Sequence, residues 1–231
     1  AGLGVATNLE SQVISTRQAM RNTNDGISII QTAEAATNEV TDILQRMREL
    51  AVQSASETLD NDERAYIQDE YEELADEIAR ISNVTEFNGV SLTNNSNTSI
   101  DVQVGINNDT VSRIAISLID LRATSLGVDS GAMSLTTAST AQAAIASLDT
   151  ALDSVNAGRS TLGAVQNRLD SALNNAQIFA ESVSGAQSQI QDTDFATETS
   201  NLTRMQIMQQ AGIAALSQAK NINQAVVSLL G

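Results

Sequence analysis

The sequence of 231 residues contains no cysteine, histidine, proline or tryptophan, and only 2% of its residues are aromatic. Without cysteine there is neither a disulfide nor a thiolate. Without histidine the commonest general base is also missing, so most acid–base and nucleophilic mechanisms are excluded. Because proline is absent, long helices can run without interruption. No apolar run reaches the roughly 18 residues of a membrane span, so none is predicted.

A glycosidase that uses a pair of carboxylates is the catalytic alternative that this composition leaves open. Sugar-binding subsites usually present aromatic platforms, however, and tryptophan is absent. No glycine-rich phosphate-binding loop follows a predicted strand. We therefore expect a protein that is not an enzyme and that has no cofactor and no metal.

Basic residues are few, and the charge is unevenly distributed. The chain has 28 acids against 12 bases, a formal net charge of −16. A nucleic-acid-binding protein needs a basic surface, so this class is excluded. Residues 57–86 are strongly acidic, whereas residues 199–231 contain no acid at all. This contrast predicts a solvated acidic middle and a C-terminal segment with little charge to keep copies of the chain apart.

Between residues 140 and 190, apolar side chains repeat every seven positions. The repeating residues are Leu148, Val155, Leu162, Leu169, Ala176, Val183 and Ile190, and a second column reads Ile145, Leu152, Arg159, Gln166, Leu173, Ala180 and Gln187. Steps of three and four are the stripe of a helix that packs against other helices. The pattern predicts one rod-like helix of roughly 60 Å. A helix of an ordinary bundle is the alternative.

Residues 2–53 predict a second long helix, with apolar residues at Val13, Met20, Ile27, Ile30, Ala33, Val40, Leu44, Met47 and Ala51. Residues 54–59 interrupt it. Asp60 then caps a shorter helix, with Glu63 in the capping-box position. This helix buries Ile67, Tyr71, Leu74, Ile78 and Ile81 and turns its acids to solvent. The acidic cluster lacks the glycine turn and the alternating oxygen ligands of a calcium-binding loop, so a solvated face is preferred.

From residue 84 the apolar period changes to two, which indicates strands. Asn88-Gly89 suits a tight hairpin turn, and alternating apolar residues on both sides of residues 105–109 predict a second hairpin. The predicted fold is mainly α: two long antiparallel helical rods, resembling a coiled coil, with a small β-hairpin region at about residues 84–121. We predict a rod domain at residues 1–190 and a C-terminal assembly helix at residues 191–231.

The two ends of the sequence resemble bacterial flagellin. Near the N-terminus the similar segments are RNTNDGIS at 21–28, QTAE at 31–34, QRMRELAVQ at 45–53 and FNG at 87–89. Near the C-terminus they are FATETSNLTR at 195–204 and QQAG at 209–212. The resemblance covers roughly residues 1–92 and 148–231. Compared with the family, we expect this chain to be a small form that lacks the large variable outer domains and the extreme N-terminal helix.

The resemblance implies a structural subunit of the flagellar filament that is secreted, self-assembles through its terminal helices outside the cell and serves motility. It implies three partners: further copies of the chain, an export chaperone and the filament cap. The candidate assembly residues are Phe195, Leu202, Met205, Ile213, Leu216, Val226 and Leu230. We expect the segment after residue 194 to be mobile in the free subunit. The alternatives are the related hook–filament junction protein and a soluble coiled-coil adaptor.

The resemblance also implies recognition by a host Toll-like receptor through the segment at residues 45–53. Arg46, Leu50 and Gln53 follow one another at steps of four and three, on one helix face. If the helix after Asp60 folds back, Glu70 comes within about one turn of Arg46. The predicted receptor patch is Gln45, Arg46, Leu50, Gln53 and Glu70. The alternative is an ordinary polar helix surface.

Overall fold

The computed structural model describes residues 2–192 and 195–230, and of the latter range the side chains of residues 197–218. The elements are α1 (Gly2–Ser54), α2 (Asn61–Val84), β1 (Glu86–Phe87), β2 (Val90–Ser91), β3 (Ser99–Gln103), β4 (Arg113–Ser117), α3 (Ala123–Leu126), α4 (Ala138–Gln191) and α5 (Phe195–Leu230). They form two compact units: one is Glu10–Val183, and the other combines residues up to Leu9 with residues from Ser184 onward. The predicted boundary at residue 190, between a rod domain and a C-terminal assembly helix, stays a prediction.

The mainly helical class is confirmed, and both predicted rods are single helices. Helix α1 has 53 residues and ends one residue after the predicted boundary. Helix α4 has 54 residues and extends the predicted 140–190 by two residues at its start and one at its end. The absence of proline leaves every interior amide free to donate, which is the local reason that these helices run unbroken.

Within Glu10–Val183, α1 and α4 pack against each other in opposite directions. Residues 40–51 of α1 share one hydrophobic cluster with residues 141–155 of α4. Residues 30 and 33 of α1 share the next cluster with residues 162–169 of α4. Higher numbers in α1 therefore meet lower numbers in α4, as an antiparallel pair requires. Arg48 marks the register, because its Nε donates to Asp149 Oδ1 at 2.7 Å.

The seven-residue column of α4 forms the centre of this packing. Leu148, Val155, Leu162 and Leu169 are completely buried. The second predicted column is only partly buried, although Ile145 and Leu152 pack against the main cluster. The deeply buried flank is instead Ala144, Ala151 and Val165. Small side chains on this side let the helices approach closely, and period alone does not show which flank that is.

A glycine in α4 shows how tight this flank is. A Cβ atom added to Gly158 would overlap Cδ1 of Ile119, on the segment after β4. The isoleucine therefore sits directly on the helix backbone. On the other side, a Cβ at Gly26 of α1 would lie 3.0 Å from Cγ2 of Val102 in β3. Other chain segments therefore press against both rods: a side chain at Gly158 would displace Ile119, whereas one at Gly26 would require a shift of only a few tenths of an ångström.

Helix α2 begins with the predicted capping box. The amide of Glu63 donates to Asp60 Oδ1 at 2.8 Å, and the amide of Asp60 donates to Glu63 Oε2 at 3.2 Å. The buried face contains Ile67, Tyr71, Ala75, Ile78 and Ile81, while the predicted Leu74 is only partly buried. This face packs on residues 43–51 of α1, so α2 folds back along the rod.

The predicted hairpins are both present. Asn88 and Gly89 have φ angles of 51° and 77°, the left-handed pair that joins β1 to β2 in a two-residue turn. In the second hairpin Ile100 pairs with Ile116 and Val102 with Ile114. Its apolar face lies on α1 and α4, among the residues around Leu162. This hairpin therefore forms a third layer over the pair of rods.

The segment between β4 and α4, rich in serine, threonine and glycine at residues 122–137, is more ordered than a simple connection. It contains the short helix α3, which ends at Gly127 with a φ of 68°. Leu121, Val128 and Leu135 are completely buried in the main cluster. An element of four residues is too short to show a period, so sequence reasoning missed it.

Helix α5 covers Phe195–Leu230 of the predicted range 191–231, whereas residue 191 belongs to α4 and residues 193, 194 and 231 lie outside the described part of the chain. Among residues 197–218, all except Asn201 are exposed. The large apolar side chains of α5 that the structure describes therefore face solvent.

The packing predicts that Leu169→Ala destabilises the subunit by about 2–5 kcal/mol, because it leaves a cavity at a completely buried position. The measurement is chemical denaturation followed by circular dichroism. Leu202→Ala is the matched control: the same change at an exposed position should alter the free energy of unfolding by about 0.5 kcal/mol or less. Equal losses in the two variants would contradict the assignment of the seam.

Candidate functional site

The corner between α1 and α2 is held together by the buried side chain of Arg64. Its guanidinium donates to the carbonyl oxygens of Ser54 at 2.9 Å, Ser56 at 2.7 Å and Leu59 at 2.9 Å. These carbonyls lie at and after the end of α1, where unpaired acceptors accumulate and a positive charge is favourable. Sequence reasoning missed this role because the partners of Arg64 are backbone atoms, which leave no trace in a side-chain pattern.

Further hydrogen bonds join this corner to the segment before α4. Ser54 Oγ donates to the carbonyl of Leu135 at 2.5 Å, and the amide of Leu135 donates to Gln68 Oε1 at 2.6 Å. The Tyr71 hydroxyl donates to the carbonyl of Val128 at 3.0 Å. Burial raises the pKa of Tyr71, with a smaller contribution from Asp129. Across the described residues, no buried side-chain nitrogen or oxygen lacks a partner, so the corner is rigid.

The outer surface of this corner carries the predicted contact between Arg46 and Glu70. Arg46 Nη2 and Nε donate to Glu70 Oε1 at 2.7 and 2.9 Å, and Nη1 donates to Glu49 Oε2 at 3.0 Å. The hydrogen bond with Glu70 is the main reason that the pKa of Arg46 is raised. Both Arg46 and Glu70 are about half exposed, so this contact orients the side chains rather than stabilising the fold.

The structure contradicts one member of the predicted receptor patch. Leu50 is 1% exposed and belongs to the hydrophobic cluster between α1, α2 and α4. Leu50 lies four residues after Arg46 and three before Gln53, at the edge of the apolar stripe of α1. Helix α2 covers this edge where it folds back along α1. Leu50 is therefore a core residue, and its removal would change the fold rather than the surface.

The other four predicted residues are exposed and, together with two residues that were not predicted, form one surface. We call it the corner surface: Gln45, Arg46, Glu49, Val52, Gln53 and Glu70. A shallow recess on it is lined by Gln45, Arg48, Glu49, Val52 and Gln53. Val52 is an exposed aliphatic side chain that lines this recess. Sequence reasoning missed Glu49 and Val52. Glu49 lies four residues after Gln45 on α1, and Val52 lies seven residues after it. This spacing places all three residues on the same helix face and could have identified them.

A second candidate surface is the apolar side of α5. Leu202, Met205, Ile213 and Leu216 were predicted as assembly residues, and the structure exposes them by 56%, 71%, 58% and 72%. Ile207 and Met208, which were not predicted, are exposed as well. The side chains of the other predicted members, Phe195, Val226 and Leu230, lie outside the described residues. A single helix with this much exposed apolar surface is a candidate site of association.

Neither surface has the composition of a catalytic or metal site. In the described ranges, no group of three or more acidic, histidine or cysteine side chains is arranged to hold a metal ion. No described helix is apolar enough over a sufficient length to cross a membrane. Rigid rods, a corner with its buried side-chain polar groups satisfied and an exposed apolar helix are features of a structural protein.

Comparison with known proteins gives the family. Residues 1–98 match the bacterial flagellin N-terminal helical region, and residues 145–230 match the bacterial flagellin C-terminal helical region. A flagellin of Halalkalibacterium halodurans is 41% identical over 230 residues, which cover 100% of this chain and 84% of the relative. The chain belongs to the bacterial flagellin family.

Two further relatives agree with this assignment. The flagellar filament 33 kDa core protein of Treponema phagedenis is 37% identical over 244 residues, covering 100% of this chain and 85% of the relative. The crystal structure of Bacillus cereus flagellin superposes with a TM-score of 0.59 at 36% identity, covering 68% of this chain and 88% of that one. The chain is therefore a structural, non-enzymatic subunit of the flagellar filament, as its resemblance implied.

The geometry of the corner predicts that Arg64→Leu destabilises the subunit by about 2–5 kcal/mol, because three carbonyl groups lose their donor together. Urea unfolding measures the loss. Arg80→Leu is the control, since it removes an exposed arginine paired with Glu77 on the same helix and should change stability by about 1 kcal/mol or less. A loss at Arg64 no larger than that at Arg80 would show that the guanidinium does not hold the corner.

Proposed function

We propose that α5 is the helix through which subunits associate in the filament. The observation that supports this role is the exposure of six large apolar side chains on one helix: Leu202, Met205, Ile207, Met208, Ile213 and Leu216. No carboxylate occurs between residues 199 and 231, so this segment brings no negative charge into a contact with other copies. Phe195, Val226 and Leu230 extend the same helix in the sequence and belong to the proposal.

Burial of these side chains is the source of the free energy of association. Each large apolar side chain that moves from water into a packed interface contributes roughly 1.5–3 kcal/mol. A lone amphipathic helix is marginally stable in water, so part of this free energy is used to order α5. This coupling makes association depend on many subunits meeting at once, which favours a growing filament over small aggregates.

The same reasoning gives roles to two other partners. A helix that exposes six large apolar residues needs protection before assembly, and we propose that an export chaperone covers the apolar side of α5. At the growing end, the filament cap holds a subunit while α5 becomes buried. In this division of labour residues 1–190 form the rod that makes the wall, and residues 191–231 form the assembly helix.

The proposal predicts that deletion of residues 201–231 abolishes filament growth, because the apolar surface that drives it is removed. Growth is measured by light scattering and electron microscopy after seeding. Thermal unfolding of the remaining rods should stay nearly unchanged, since the described part of α5 is exposed and contributes little to their packing. Filaments grown from the shortened chain would contradict the role of α5.

We further propose that the corner surface binds a host Toll-like receptor. Gln45, Arg46, Gln53 and Glu70 support this proposal through their shared exposure, and the contact of Arg46 with Glu70 and Glu49 fixes the guanidinium in one orientation. A rigid, charged and hydrogen-bonding surface around one exposed valine has the features of a protein-binding site. Leu50 supports the surface from beneath.

This second proposal predicts that Arg46→Ala combined with Gln53→Ala reduces receptor signalling by about tenfold or more, since arginine is enriched among the residues that dominate protein interfaces. The measurement is a dose–response curve in reporter cells. Arg80→Ala, an exposed arginine near the other end of α2, is the control and should leave the curve unchanged. Undiminished signalling by the double variant, with circular dichroism intact, would contradict the proposal.

A further inference from the structure

A groove with apolar walls lies where the second hairpin meets α1 and α4. Its walls come from Ala19 of α1, from residues 104–114 of the hairpin and from residues 168–179 of α4. Ile106 and Phe179 are each 40% exposed, and Val111 at the edge is 88% exposed. All these residues belong to the same compact unit, so the groove is a feature of one body.

The charged residues that line this groove are both arginines, in a chain with 28 acids and 12 bases. Arg113 is held in place by the hairpin, because its Nε donates to Gln103 Oε1 at 3.0 Å and its Nη2 to Asn108 Oδ1 at 2.9 Å. Neither Arg113 nor Arg168 forms an ion pair within 4.0 Å with a described residue, although Arg113 is near enough to Asp109 to add to the lowering of its pKa by hydrogen bonds from Ser112. The groove therefore offers apolar walls and two cations to an acidic partner.

A surface of matching chemistry lies on α2. Asp62, Tyr66, Asp69, Glu73 and Asp76 follow at steps of four, three, four and three, so they share one face of the helix. All five are exposed, and the four carboxylates form no ion pair within the described residues. Tyr66 is 75% exposed in the middle of them. An aromatic side chain surrounded by carboxylates complements an apolar groove that carries arginines.

We propose that the acidic face of α2 in one subunit docks into the arginine groove of the next subunit in the filament. Tyr66 enters between Val111 and Phe179, and the flanking carboxylates pair with Arg113 and Arg168. The proposal rests on filament formation, which the family establishes, and not on the role proposed for α5.

The positions of the two surfaces determine what such a contact builds. The groove lies beside residues 16 and 19 of α1, whereas α2 packs on residues 43–51. This separation is roughly 40 Å along the helix, so one chain cannot satisfy its own groove. A contact between two different patches is heterologous, and such contacts repeat into an open row of subunits unless the rotation closes them into a ring.

The absence of cysteine allows a direct test by crosslinking. A variant with both Tyr66→Cys and Val111→Cys is assembled into filaments and oxidised with a mild disulfide-forming reagent. We expect a ladder of covalent multimers on a non-reducing gel, because each subunit contributes one cysteine to each of two contacts. The variants with a single cysteine should remain monomeric in the same filaments. Normal filaments of the double variant that yield only monomers would overturn the proposal.

Charge reversal tests the electrostatic part independently. Arg113→Glu with Arg168→Glu makes the groove acidic, and replacement of all four carboxylates (Asp62, Asp69, Glu73 and Asp76) by arginine makes the α2 face basic; all six positions are exposed. Each variant alone should elongate about tenfold more slowly than the parent, because like charges then meet. An equimolar mixture should recover the parent rate, since grooves and faces complement each other when the two variants alternate. If neither variant is slowed, or the mixture is no faster than its components, the proposed contact is wrong.

Discussion

The packing of α1 against α4 is the contact on which the rest of the molecule depends. The leucines and valine of the seven-residue column fill the seam, and alanine and glycine on one flank keep the helices close. The hairpin of β3 and β4 lies across the pair at Gly26, and the segment carrying Ile119 packs on Gly158. Because α2 folds back onto the same pair, the corner surface, the acidic face and the arginine groove are all held on one rigid support.

Against this rigid body, α5 has the opposite character. Along residues 30–51 of α1 and 141–169 of α4 the apolar stripe is buried, and the described buried side-chain polar groups have partners, whereas the described apolar side chains of α5 lie in water. A filament subunit needs two parts: a body that keeps its shape under load, and a segment that becomes buried only against other subunits. In the proposed arrangement α5 supplies most of the free energy of association, and the exposed charges of α2 and the groove set the register between neighbours.

Local patterns and backbone contacts explain what the sequence could and could not predict. The column from Leu148 to Leu169, the capping box at Asp60 and the turn at Asn88-Gly89 depend on short-range periodicity and turn chemistry and were predicted correctly, whereas Ile190 at the end of the same predicted column is 46% exposed. The burial of Leu50 depends on where α2 returns, and the role of Arg64 depends on carbonyl groups of three other residues. The groove joins three distant segments. Such features follow from tertiary packing, which no single stretch of sequence contains.

One chain therefore combines a permanently packed rod with a helix that, as we propose, is buried only in the filament. Amide hydrogen exchange, measured residue by residue in free subunits and in filaments, distinguishes these two parts. We expect strong protection of residues 141–169 in both states, and protection of residues 197–218 that is weak in the free subunit and strong in the filament. Equal protection of residues 197–218 in the two states would show that α5 is not buried by assembly.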